Sequence, residues 1–223
     1  MKAARPFALT SPDALGGWIG TDEAGKGDYF GPLVVAGVYV TAATAVRLRQ
    51  IGVRDSKTLT DKRISALAGE IRRACPFDVV AIGPERYNEM YVTIRNLNRL
   101  LAWAHARVIE NLLQHVDCTR VVSDQFGDER FLLNALMEKG KRVELVQRPR
   151  AEDDLAVAAA SIIARAEFVQ RLELLSKSVG VDLHKGAGPP VLVAGRRFVE
   201  KHGQDALVKV AKLHFKTTRQ LTG

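Results

Sequence analysis

Two adjacent carboxylates, Asp22 and Glu23, are followed at once by a glycine-rich turn, Gly25-Lys26-Gly27. Neighbouring acids resist ionising together unless a cation or hydrogen-bond donors sit on them. Glycines at this spacing let backbone approach a ligand closely and supply conformations that side chains forbid. The combination is that of a cation-dependent site beside a loop that meets its ligand through main chain. Gly20 to Gly27 nearly matches a P-loop, which needs Ser or Thr after its Gly-Lys pair. Gly27 stands there instead, so no hydroxyl is available for a nucleotide's magnesium. Asp22 and Glu23 would also repel phosphates held in such a loop. A P-loop is excluded.

Other acids fall at element ends. Arg120-Val121-Val122-Ser123-Asp124 reads as a buried strand ending in an acid; Asp124 can also cap the helix that begins near Asp128. Glu152, Asp153 and Asp154 precede the small-residue run Leu155–Arg165, whose alanines permit close helix packing. Ser56 and Lys57 lie in a polar loop before a helix capped by Thr60, where a hydroxyl and an ammonium suit a phosphate or simply form a capping loop. Val210–Thr218 is a basic strip holding Lys212, Phe215 and Lys216. His105 and His115 lie on or beside a helix over 96–116 and read as structural, with no assigned role.

The elements needed to position these groups follow from periodicity. Strands are predicted over 17–22, 33–40, 77–82, 120–124 and 142–147, and helices over 43–51, 60–75, 84–90, 96–116, 155–165 and 190–202. Strands alternating with helices imply a mixed sheet flanked by helices.

The string Asp22 to Leu33 resembles the signature of the type 2 ribonuclease H family, and ribonuclease HIII more than ribonuclease HII. Asp55-Ser56-Lys57, Ser123-Asp124-Gln125-Phe126, Ala156–Arg165 and Val210–Thr218 resemble the same family. The resemblance runs from Gly17 to the end. It implies an α/β fold: a ribonuclease H-like mixed five-stranded sheet flanked by helices, the first three strands antiparallel, with a helical C-terminal extension. It implies a metal-dependent endonuclease that hydrolyses the RNA strand of RNA/DNA hybrids with two Mg²⁺ or Mn²⁺ ions, leaving 5′-phosphate and 3′-hydroxyl ends. Asp22, Glu23, Asp124 and Glu152 become the catalytic, metal-binding acids, with Asp153 and Asp154 rivals for the fourth place. Gly25, Lys26, Gly27, Ser56, Lys57, Ser161, Lys185, Lys212 and Lys216 are assigned to substrate binding. The alternatives are incision at single ribonucleotides in duplex DNA, as by ribonuclease HII, and a non-catalytic hybrid-binding module. Ribonuclease HII uses a C-terminal Tyr for the former, whereas all four tyrosines here fall in the first half.

Composition agrees with a polyanionic partner. The 33 basic and 25 acidic residues give +8 at pH 7. His184–Gly223 contributes eight basic residues against Glu200 and Asp205. Cys75 and Cys118 fit no metal or redox spacing, and no apolar stretch is long enough to span a membrane. The expectations are a cytoplasmic monomer without an obligate protein partner, a lead-in over 1–16, and one catalytic domain over 17–223 with a basic helical part from about 178. The N-terminal substrate-binding domain usual in ribonuclease HIII is not expected in this sequence.

Overall fold

A computed structural model describes residues 16–54, 56 and 59–223. The lead-in expected over 1–16, apart from Gly16, lies outside the described residues, as does Lys57. The sheet has the order β3-β2-β1-β4-β5, with β1 (Trp18–Ala24), β2 (Leu33–Val40), β3 (Phe77–Ile82), β4 (Arg120–Asp124) and β5 (Glu144–Arg148). β1, β2 and β3 pair antiparallel, while β4 and β5 join parallel to β1 and to each other. β1 and β4 are thus central neighbours running the same way, with Asp22 and Glu23 near the end of β1 and Asp124 at the end of β4.

Helices cover both faces: α1 (Ala42–Gln50), α2 (Asp61–Ala74), α3 (Pro84–Ile94), α4 (Leu97–Leu112), α5 (Glu129–Ala135), α6 (Leu155–Val179), α7 (Pro189–His202) and α8 (Lys216–Thr222). β2 is apolar throughout because each face meets a helix layer. Val34, Ala36, Val38 and Val40 pack with α1, α2 and α6, whereas Leu33 and Val35 pack with α4. This is the period-2 alternation of a strand with two buried faces.

The small residues ahead of Arg165 are explained by proximity. A Cβ on Gly20 of β1 would stand 2.1 Å from the Ala156 carbonyl carbon, so α6 lies directly against the strand. α6 is longer than the small-residue run predicts. It continues to Val179 and stops at Gly180, which takes a left-handed φ of 63°. Its second half places Phe168 and Leu172 over Gly25 and Gly31. β1 also runs two residues beyond the prediction, to Ala24, which puts Asp22 and Glu23 inside a regular strand.

Candidate active site

Consecutive residues of a strand point to opposite faces of the sheet, and this separates the two leading acids. Asp22 turns toward α6, where the Ser161 hydroxyl hydrogen-bonds its carboxylate. Ser161 in turn meets Ser56 (Oγ–Oγ 2.8 Å). Glu23 turns toward α4. Its Oε2 lies 3.3 Å from His105 Nε2, and its Oε1 lies 3.4 Å from Lys26 Nζ. At the mouth both side chains border one cleft of about 430 Å³, together with Gly25, Lys26, Gly27, Ser56, Asp124, Glu152, Ser161 and Lys185. Asp124 reaches it from the end of β4, held by the Ala151 N–H at 2.9 Å.

The electrostatics follow this geometry. Burial, then the nearby Glu23 and Asp124, push the Asp22 carboxyl up to about 8 against the donors around it. Burial also raises Glu23, but His105 and Lys26 outweigh it and hold that carboxyl below its usual range. The donors around it do not offset its burial among other acids. Among the described residues, no three His, Cys, Asp or Glu side chains gather tightly enough to hold a metal by themselves. Oxygen-only donors in an open arrangement suit Mg²⁺ or Mn²⁺, which keep water and take further ligands from substrate phosphate. The donor set fits such an ion.

The three acids before α6 have separate occupations. Asp154 caps the helix, accepting from the Ala156 and Val157 N–H groups at 2.9 and 3.2 Å, and it accepts the Trp18 indole N–H at 3.0 Å. Asp153 is exposed and pairs with Arg148. Glu152, in a short 3-10 turn over Ala151–Asp153, is the one that borders the cleft.

The glycine turn is held from outside. Gly25 has φ +85°, and a Cβ there would stand 2.2 Å from the Pro32 carbonyl oxygen, so Gly is required. Asp28 accepts the Gly186 N–H at 2.6 Å, tying the turn to the loop that carries Lys185. Arg165 donates to the Ser56 carbonyl (2.6 Å) and to Asp61 (2.9 Å), and Lys185 reaches Asp61 at 2.5 Å.

One substrate-binding expectation is corrected. Lys212 is fully buried, and its ammonium donates to the Asp28 and Gly31 carbonyls, both at 2.8 Å. It braces the glycine turn from inside and does not reach the surface; burial lowers its ammonium to about 7. Lys216 is exposed at the start of α8 and does not border the cleft. Lys212→Met should therefore leave the salt dependence of nucleic-acid binding unchanged. It should destabilise the fold by about 2–4 kcal/mol through two stranded carbonyls, which thermal melting would read. Sequence reasoning also missed Arg165, Asp61 and His105. The last stands on the apolar face of α4, four residues from both Leu101 and Ile109, a position that reads as core.

The family model described as Ribonuclease HII matches residues 19–218. The chain belongs to the ribonuclease HII family. Among relatives, the ribonuclease HIII of Protochlamydia amoebophila is 49% identical over 205 residues, covering 92% of this chain and 68% of that protein. The ribonuclease HIII of Chlamydia pneumoniae is 48% identical, covering 89% and 68%. A crystal structure of Bst-RNase HIII in complex with Mn²⁺ superposes with a TM-score of 0.88 at 32% identity, covering 99% of this chain and 74% of that one. The five-stranded mixed sheet found here thus matches a solved ribonuclease HIII structure, and the ribonuclease HIII resemblance of the sequence is borne out.

Proposed function

We propose that this member of the family is an endonuclease that hydrolyses the RNA strand of RNA/DNA hybrids with Mg²⁺ or Mn²⁺. The observation that carries the reading is the single cleft in which Asp22, Glu23, Asp124 and Glu152 converge beside the Gly25-Lys26-Gly27 turn. These four acids hold the ions. Held there, such ions would supply Lewis acidity toward an attacking water and a leaving oxygen. Ser161, braced by Ser56, orients Asp22, while Lys26 pairs with Glu23.

The glycine turn lies along the ribose-phosphate backbone and offers peptide groups to 2′-hydroxyls, by which RNA is told from DNA. Backbone contacts carry no base information, so cleavage is independent of sequence. Residues 17–223 work as one domain, a reading supported by the bridge between Phe30 and Ala211 that ties the C-terminal strip to the site loop; the chain works as a monomer. The buried free thiols of Cys75 and Cys118 support a reducing, cytoplasmic setting. No helix among the described residues is long and apolar enough to cross a membrane.

The test is a cleavage assay on a uniform hybrid and on duplex DNA with one ribonucleotide, with Mg²⁺ or Mn²⁺ in parallel. Wild-type protein should cut the hybrid and lose activity in chelator. Asp124→Asn should still bind the hybrid but not cut it. Efficient cutting at the lone ribonucleotide would move the reading toward ribonuclease HII-like repair, and normal turnover by Asp124→Asn would refute the ligand assignment.

A further inference from the structure

His105 has no exposed surface, yet its ring touches β1 and the turn that follows β4. Nδ1 lies 2.9 Å from the Thr21 hydroxyl, two residues before Glu23 and therefore on the same face of β1. Nε2 lies 3.3 Å from Glu23 Oε2. The ring stacks on Phe126, just past Asp124 at the end of β4, with centroids 4.8 Å apart and planes at 25°. Glu23 Oε2 and His105 Nε2 are both buried, and neither makes a well-aligned hydrogen bond to any other group. Buried polar atoms need partners, and each of these has the other as its partner. A modest rotation of the Glu23 carboxylate would align the pair.

We infer that His105 is a positioning residue for Glu23, fixing the direction in which that carboxylate faces its metal from beneath the sheet. The inference rests on the proposed metal-binding role of Glu23. The alternation of β1 explains the need. Asp22 and Glu23 leave the strand on opposite faces, so Glu23 must turn back at the mouth to share an ion with Asp22 and Asp124. Ser161 sets Asp22 from the α6 side; His105 sets Glu23 from the α4 side. With its Nε2 proton directed at Glu23, the ring accepts the Thr21 hydroxyl proton at Nδ1, so Thr21 selects the tautomer. Stacking on Phe126 ties the same ring to the turn behind Asp124. Such outer partners of metal-binding side chains alter metal affinity or activity by about 10–100-fold when removed.

The test uses His105→Leu, His105→Gln and Thr21→Val. For each, Mn²⁺ affinity is measured calorimetrically on the protein without substrate, kcat and KM on a hybrid, and Tm by melting. His105→Leu should weaken Mn²⁺ binding and lower kcat by about 10–100-fold each, with KM within about twofold because the hybrid-binding surface is untouched. His105→Gln retains an N–H aimed at Glu23 and should recover most of the loss. Thr21→Val, nearly isosteric, should show the same signature at smaller size and decides the matter if His105→Leu does not fold. Wild-type Mn²⁺ affinity in His105→Leu and Thr21→Val overturns the inference. So does a loss that His105→Gln fails to recover and that tracks Tm alone, which is a packing role. A control separates this from the function itself: wild-type cleavage by Glu23→Gln would sink the ligand assignment, whereas an active parent with neutral His105 variants sinks only the positioning role.

Discussion

Replacing Asp22 by Asn should abolish hybrid cleavage and, without divalent metal, make the protein more stable. The first half follows from removing a carboxylate at the centre of the cleft. Charge stabilisation by bound metal contributes several kcal/mol to such reactions, so the rate should fall about 10³-fold or more. The second half follows from burial. Asp22 is 7% exposed and its carboxyl is raised to about 8. Between about pH 4 and 8 the folded protein holds a proton there that the unfolded chain releases. Stability contributed by this group therefore falls as pH rises through that window. Asn removes the term. Its advantage should be absent near pH 4, grow with pH and be largest above about 8. Each tenfold change in an ionisation constant is worth about 1.4 kcal/mol, which for a chain of this size is about 3–6 °C in Tm. Saturating Mg²⁺ should reverse the order, because it stabilises only the form that binds it. Melting curves at pH 5 and 8.5, with and without Mg²⁺, check all three points. A variant less stable than the parent at pH 8.5 in chelator would mean that Asp22 is already neutralised within the chain.

Much of this architecture is legible in the sequence for physical reasons. The run Leu33–Val40 is apolar at every position because two helix layers sandwich it. Gly20 and the alanines ahead of Ser161 belong to one close approach, so small residues in two distant stretches announce a single contact. Asp22 near the end of β1, Asp124 at the end of β4 and Glu152 just before α6 are brought to one edge by the parallel β1–β4 pairing. What was not legible depends on side-chain direction across long separations. Lys212 lies in a basic strip and so reads as a surface contact, but the bridge between Phe30 and Ala211 draws that segment inward and buries the ammonium against two carbonyls. His105 occupies a core position of α4, and only the β1 register shows that the neighbouring strand residue is Thr21 and that Glu23 follows on the same face. Helix periodicity gives the face, not the chemistry of what that face meets.

The second large effect separates three consecutive acids. Glu152→Gln should lower the cleavage rate about 10²–10³-fold, the cost of losing one negative ligand where charge must be balanced, with little change in Tm. Asp154→Ala should do the reverse. It strips α6 of a cap that accepts two backbone N–H groups and leaves the Trp18 indole N–H without its acceptor. Capping and a stranded donor together are worth about 1–4 kcal/mol, a Tm loss of about 2–16 °C. At temperatures where the variant stays folded, kcat should remain within about threefold of the parent, because no cleft acid is removed. Asp153→Asn breaks an exposed pair with Arg148 and should change neither quantity beyond about 0.5 kcal/mol. The assignment fails if Asp153→Asn or Asp154→Ala loses activity at full folding while Glu152→Gln keeps it. That outcome would mean that the short 3-10 turn rearranges around metal to present a different carboxylate, and that the packing of Trp18 on Asp154 holds it only until substrate arrives.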